Sequence, residues 1–573
     1  MDLHPLAMVA AAGAGLYLLE RLRKRLSLSL AKHPSLRGHS KWSRRLARLV
    51  PYYSFDTDQA FVCDGAPPAI GEQRKSALLA LAARLEREAP LSLEQARPLG
   101  RLISDVAFTS AYRVPFPFRE HLPEALRQPS VLTASQGTRV ADADGTWRQD
   151  VSGSYGVNVF GYDFYKECID QAVDLARPLG PVLGPYHPVI AGNAERLARI
   201  AGLDEVSFHM SGTEAVMQAV RLARYSTGRS HLVRFCGAYH GWWDGVQPGV
   251  GNQRPVNDVY TLADMSERSL RVIASRKDIA CVLVNPLQAL SPNSDAATDG
   301  GLLGSGRSAC FDRDAYTQWL HRLRDVCTRA KVPLIFDEVL TGFRLDKRGA
   351  QGYFGVQADL VTYGKTLGGG LPIGALAGRA DLMRRFDPDR PARVSLARGT
   401  FNCHPYVMAA MSVFLDRLES EAVQASYAAA DALWTQRRLE VNEALKEATL
   451  PLRLEGMHSI WTVIYTQPSR FNWVYQFYLR AHGLELPWTG TGRLIFSLNY
   501  SDEDFAVVRR VLVDAAAEMR HDGWWWGEGE LTRASIRKQL IREMAGALVP
   551  ALARGVSRAS RGTATPPRLE EAV

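Results

Sequence analysis

Cysteine is scarce in this chain, and what there is does not cluster. Seven cysteines (Cys63, Cys168, Cys236, Cys281, Cys310, Cys327 and Cys403) are scattered over 573 residues. The number is odd and no C-x-x-C pair occurs, which excludes a disulfide framework or a zinc ribbon and implies a reducing compartment. No metal site is expected. Zinc-finger spacing and an RNA-binding aromatic motif are both missing, and the positive charge is not where a nucleic-acid reader would carry it. Residues 1–50 hold ten Lys/Arg against Asp2 and Glu20, and residues 531–573 hold eight against three acids. The whole chain is +9, so the part between these ends is net negative. A nucleic-acid module would carry its basic face on the folded body, so nucleic acid is not expected as a partner.

Long hydrophobic runs are lacking too. The longest near the start, "LAMVAAAGAGLYLL" (6–19), is followed at once by "ERLRKRL". As a helix it spans roughly 21 Å, short of the ~30 Å hydrocarbon core. No signal-peptide cleavage site is clear. Two readings stay open: a peripheral anchor on an anionic membrane with a polybasic collar, or a helix packed on the body. Either way the expected location is cytoplasmic.

What is present is a regular texture. Residues 51–130 read as a helical extension broken by prolines ("GAPPA", "YRVPFPF", "HLPEALRQP"). "TRVADADGTWRQDV" reads as a hairpin with an Asp-Gly turn, within a 131–180 segment assigned to the small domain and the pocket. From 181 to 405, short apolar runs ("EVSFHM", "HLVRFC", "ACVLVNPL", "VPLIFDEV", "ADLVTYG") alternate with helical stretches. That alternation predicts an α/β fold with a mostly parallel central sheet. Residues 406–525 read as a smaller α+β domain and 526–573 as a basic extension. The small polar stretch 291–309 reads as a mobile loop, and its "GLLGSGRS" lacks the lysine of a phosphate loop. "GWWWG" (523–527) either closes the small domain's core or forms an interfacial belt.

In a parallel sheet, ligands bind outside the carboxyl ends of the strands. The residues that follow those runs are Asp337-Glu338, Lys365, Ser211-Gly212-Thr213, Tyr239-His240 and "NPLQ" with Asn285 and Gln288. Each alone has an ordinary explanation as a cap, a turn or core. "SGTEA", for instance, is a helix-capping signal, with Glu214 supporting the first turn. Together they suit pyridoxal phosphate. A lysine amine holds the aldehyde as an imine and later moves protons. A carboxylate keeps the ring nitrogen protonated, a helix start takes the phosphate, and an aromatic ring stacks on the cofactor.

"SGTEAVMQAVRLAR", "GAYHGWWD", "LIFDEVLTGFR", "DLVTYGKTLGGGLPIGALAGR" and "GTFNCHP" resemble, in order and spacing, the fold-type I, class III aminotransferases. Within these, the resemblance is to the glutamate-1-semialdehyde 2,1-aminomutases, over roughly residues 130–520. It implies that Lys365 is the cofactor lysine and Asp337 the ring-nitrogen partner. Val339 and Tyr239 would cover the ring faces, with His240 beside them. Ser211, Gly212 and Thr213 would hold the phosphate, Gln288 would reach the ring hydroxyl, and Thr400 would serve the neighbouring subunit, which makes a homodimer. Asn285 stands where the family usually has an acid that pairs with a substrate-sorting arginine. Ser154-Tyr155 stands where the aminomutases have Ser-Trp, and Arg113 is the one candidate for their early arginine. The implied activity is amino transfer from a small-molecule donor to an aldehyde or ketone. The alternatives are the intramolecular aminomutase reaction, action on a bulky or lipid-like carbonyl at a membrane, and a non-catalytic binding protein on the same scaffold.

Overall fold

The computed structural model describes residues 4–33, 38–247, 249–254, 256–287, 312–487, 492–527 and 531–559. Its centre is a seven-stranded sheet. In spatial order the strands are Glu205–His209, Gly374–Gly378, Leu360–Gly364, Leu334–Asp337, Ile279–Val284, His231–Phe235 and Val259–Leu262. Gly374–Gly378 runs antiparallel to both neighbours, and every other adjacent pair is parallel. Ile279–Val284, Leu334–Asp337 and Leu360–Gly364 are buried at every position. Strands covered on both faces read as unbroken apolar runs, as these do.

Successive side chains of these strands go to opposite layers. Cys281, Leu283, Ile335, Leu360 and Leu376 meet Val216, Ala219 and Val220 of helix Gly212–Thr227. Val282, Val284, Leu334, Phe336 and Val361 meet the other layer. There, Leu197, Ile273, Leu320 and Phe414 come from helices Val189–Ala201, Glu267–Ser275, Arg313–Ala330 and Pro405–Leu418.

A second apolar cluster gathers the rest of the chain. The expected hairpin forms between Arg139–Asp142 and Trp147–Asp150, turning at Gly145 with φ +81°. It continues into a four-stranded sheet with Leu132–Gln136 and Leu484–Glu485. Strands Leu452–Met457, Ile460–Tyr465 and Arg493–Ile495 make an antiparallel sheet. Trp434 of helix Glu421–Glu447 and Phe505 of helix Asp502–His521 pack in the same cluster. Trp524 and Trp525 are buried at its heart, so "GWWWG" closes a core and is no interfacial belt. Leu78, Leu81, Leu85, Leu93 and Phe118 also lie in this cluster. The helical extension of residues 51–130 is thus built into it.

The termini differ from expectation in one respect. The first helix runs His4–Ala31, 28 residues, twice the apolar run that marks its start. The charged stretch does not end it, because Leu, Arg and Lys are good helix formers and Glu20 pairs with Lys24 one turn on. Its last turn is fixed to the body: Ala31 is buried and its carbonyl accepts from Ala263 N at 2.9 Å. Leu16, Leu19, Leu22, Leu26 and Leu30 remain exposed. No helix among the described residues is long and apolar enough to cross a membrane.

The C-terminal helix Arg533–Ala559 docks on the N-terminal extension. Glu543 takes Arg470 Nη1 at 2.6 Å and Nη2 at 2.9 Å, and the Tyr53 hydroxyl at 2.8 Å. Gln539 donates to the Cys63 carbonyl. Arg470 is buried, with its guanidinium over the rings of Phe55 and Phe118. Removing one partner of such a pair costs about 3–5 kcal/mol, because the other charge stays buried. Glu543→Ala should therefore lower the thermal unfolding midpoint and open residues 531–548 to limited proteolysis. An unchanged midpoint and cleavage pattern would mean that this pair does not hold the terminus.

Candidate active site

Three strand ends meet at one edge of the large sheet. Gly374 pairs with both His209 and Gly364, and a β-carbon on Gly374 would overlap the Ser211 carbonyl. Only glycine permits that approach. Just past His209, Ser211 caps helix Gly212–Thr227: its hydroxyl accepts from Glu214 N at 3.3 Å, while the Glu214 carboxylate accepts from Met210 N at 2.9 Å. This reciprocal box leaves first-turn N–H groups of a 16-residue helix facing outward, an arrangement that attracts an anion.

Val339 packs against that helix start. A β-carbon on Gly212 would lie 2.7 Å from Val339 Cγ1, and one on Gly364 would lie 3.3 Å from the same atom. The Tyr239-His240 loop closes on the other side, with Gly241 packed on Thr213. His240 is buried and its Nδ1 lies 2.7 Å from Asp337 Oδ2; Asp337 Oδ1 accepts from Val339 N at 3.2 Å. Burial pushes the His240 pKa down, against the pull of Asp337. A neutral imidazole donating from Nδ1 then orients the carboxylate, while Nε2 has no partner. Asp337 is itself buried, and a carboxylate with one protein donor per oxygen keeps lone pairs to offer a ligand. Tyr239 is 60% exposed, so its ring is not part of the core.

Lys365 follows strand Leu360–Gly364 with φ +51°. A left-handed lysine costs about 1–3 kcal/mol and persists only where its surroundings enforce it. Here the next residue, Thr366, is held by the Tyr165 hydroxyl at 2.6 Å, and that hydroxyl in turn accepts from Val159 N. The lysine Nζ donates to the Tyr155 carbonyl at 2.5 Å. Burial, then the positive charge of Arg344, lowers the amine's pKa to about 8. Ser154 and Tyr155 occupy the turn over the amine, also left-handed (φ +45° and +56°). The Ser154 hydroxyl lies 2.9 Å from that of Tyr162, which donates to Asp150 at 2.7 Å.

Most residues expected from the sequence therefore converge: Ser211, Gly212, Thr213, Tyr239, His240, Asp337, Val339, Lys365, Ser154 and Tyr155. Asn285 caps its own turn, its Oδ1 accepting from Leu287 N at 3.2 Å. Thr400 is exposed on the turn before helix Pro405–Leu418. Arg113 is buried with its guanidinium over Phe477, and burial lowers its pKa to about 9. Gln288 and the 291–309 stretch lie outside the described residues.

Three features escaped the sequence reading. Glu338 points away from Asp337 and accepts from Ala350 N and Gln351 N, its pKa raised by burial to about 8. Tyr165 braces Thr366, and Arg344 ties down the turn over Lys365. Of these residues, Glu338 and the arginine of "TGFR" stand inside a quoted motif, but neither role is written in it.

An anion-accepting helix start, a buried oriented carboxylate, a presented ring and an amine of lowered basicity fit pyridoxal phosphate. Comparison with known proteins agrees. The family model for aminotransferase class III matches residues 123–508. The glutamate-1-semialdehyde 2,1-aminomutase of Thermomicrobium roseum is 31% identical over 430 residues, 68% of this chain and 92% of that protein. That of Alkaliphilus oremlandii is 35% identical over 293 residues, 51% of this chain and 67% of that protein. A solved transaminase with bound pyridoxal phosphate superposes with a TM-score of 0.59 at 26% identity, covering 75% of this chain and 99% of that one. The aminomutase of Pseudomonas aeruginosa shares the fold alone, with a TM-score of 0.62 at 20% identity over 78% of this chain and 99% of that one. The chain belongs to the class III aminotransferases, pyridoxal-phosphate-dependent enzymes of fold type I.

Proposed function

We propose that the amino transfer of this enzyme is carried by Lys365 and Asp337, between a separate amino donor and an aldehyde or ketone acceptor. The observation that supports this most is the Lys365 amine, of basicity lowered by burial, on the same strand edge as the histidine-braced Asp337. Bound pyridoxal phosphate supplies an electron sink for the pair left when a proton leaves the carbon bearing the amino group. Lys365 takes that proton and returns it, a task that needs the neutral amine near pH 7–8. Asp337, held by His240 and the Val339 N–H, keeps the ring nitrogen protonated. Gly212 and Thr213 at the helix start hold the phosphate, with Ser211 setting the cap, and Val339 and Tyr239 cover the two ring faces. Ser154 and Tyr155 line the substrate side. The curated aminomutase relatives favour a second reading, in which both amino exchanges occur on one molecule. The two differ in whether turnover needs a second substrate.

Borohydride reduction of the loaded enzyme followed by peptide mass mapping should place the cofactor mass on the peptide containing Lys365. Lys365→Ala should bind the cofactor reversibly and show no turnover. Label on another lysine would overturn the assignment.

Thr400 serves the phosphate of a second copy, so the working unit is a homodimer. The support is its setting: Phe386, Val394, Leu396 and Phe401 in the same stretch are all large, apolar and exposed, a pattern that marks an interaction surface. Sedimentation should show a dimer, and Leu396→Glu with Phe401→Glu should yield monomers that retain cofactor poorly. A fully active monomer would refute the shared site.

The finer location we propose is the surface of an anionic membrane. Residues 21–55 hold ten Lys/Arg and no acid. Lys41, Arg44, Arg45 and Arg48 line a cavity of about 260 Å³, beside the exposed Trp42. The exposed leucines of the first helix add an apolar stripe. Each basic residue near an anionic leaflet contributes about 1 kcal/mol, screened by salt. The enzyme should co-sediment with anionic but not neutral vesicles at low salt. Leu19→Glu, Leu22→Glu and Leu26→Glu together should release it with turnover of a soluble aldehyde intact. Indifference of the unaltered protein to anionic vesicles would sink this reading.

A further inference from the structure

One fully buried cation near the site, Arg344, has no carboxylate partner within ion-pair distance among the described residues. Its Nη1 donates to Ser459 Oγ at 3.0 Å and to the Phe496 carbonyl at 2.5 Å. Its Nη2 donates to the Asn158 carbonyl at 2.9 Å and the Gly156 carbonyl at 3.4 Å, and Nε has no partner. Guanidinium groups in protein interiors are ordinarily paired. This one spends its donors on three backbone carbonyls and one hydroxyl instead.

Two of those carbonyls, of Gly156 and Asn158, belong to the turn and its exit, which also take the reactive amine. Lys365 Nζ donates to Tyr155 O, and a β-carbon on Gly156 would lie 3.5 Å from that nitrogen. Lysine and arginine therefore hold nearly consecutive carbonyls of one turn. Gly153, Ser154, Tyr155 and Gly156 all have positive φ (52°, 45°, 56° and 95°), a run that two non-glycine residues do not adopt unaided. The charged groups that bear on the Lys365 amine are Arg344, Asp337 and Arg493, two cations against one carboxylate, with the Tyr155 carbonyl as acceptor. A nearby like charge disfavours the charged amine.

We infer that Arg344 is a positioning residue for Lys365: it pins the turn whose Tyr155 carbonyl receives the lysine amine, and its unneutralised charge holds that amine in the proton-accepting form. The inference rests on Lys365 as the reactive amine. A purely structural Arg344, joining the two apolar clusters through Ser459 and Phe496, would make the same hydrogen bonds but have no hold on the proton affinity at Lys365.

The two roles separate in a pH titration of the visible absorbance of the loaded full-length enzyme. Arg344→Met should move the midpoint at Lys365 upward by about one pH unit, the size expected for loss of a nearby like charge. Arg344→Lys, which keeps the charge with fewer donors, should leave the midpoint at the wild-type value while lowering thermal stability. An unmoved midpoint in Arg344→Met overturns the inference. So does an Arg344→Lys midpoint raised by about a pH unit or more above the wild-type value, which decides the matter even if the methionine variant does not fold. The borohydride map keeps the premise separate: cofactor mass away from Lys365 removes the premise, whereas mass on Lys365 with an unmoved midpoint removes only the role of Arg344.

Discussion

The close approach of Gly374 to the Ser211 carbonyl sets the level of everything around it. Gly374 begins the one antiparallel strand of the large sheet, wedged between the strand that leads to Ser211 and the strand that leads to Lys365. A side chain there would push the helix start away from the lysine, and Val339, packed against both Gly212 and Gly364, would lose its seat. Anion-binding helix start, amine and carboxylate therefore share one edge because a backbone contact without side chains fixes their relative height.

On that edge, neighbouring acids are put to opposite uses. Asp337 and Glu338 are consecutive, so the pleat sends them to opposite faces. Asp337 faces His240, while Glu338 turns to the backbone N–H groups of Ala350 and Gln351. Burial raises Glu338 to about 8, with the nearby Asp337 charge adding to the shift. The pair thus avoids placing two full negative charges side by side. A protein that only needed a turn after its strand would have no reason to bury both.

What the sequence made legible follows from locality. The apolar runs, the capping box at Ser211 and Glu214, the hairpin at Gly145, and Lys365 and Asp337 at strand ends are all written within a few residues of one another. Arg344 was not legible, because its partners Ser459 and Phe496 lie 115 and 152 positions away. No spacing rule reaches that far. The length of the first helix was missed for a different reason. The change from apolar to basic at Glu20 looks like a boundary, but a helix ends where propensity or capping ends it, and polarity changes only which faces are wet.

That helix also meets the body far from the Lys365 cluster. Its last turn is fixed through Ala31 to Ala263, the residue following strand Val259–Leu262, and to Ser269 in the next helix. Val259–Leu262 is the outermost strand on one side of the sheet, whereas Lys365 follows the third strand counted from the other side. Between them lie the strand that ends in Asp337, the strand that Asn285 follows and the strand before the Tyr239 loop. A load on the first helix is therefore carried by a sheet edge that supplies no residue to the Lys365 cluster. The antiparallel wedge at Gly374, on which the site's geometry rests, lies on the far side of the amine from that edge.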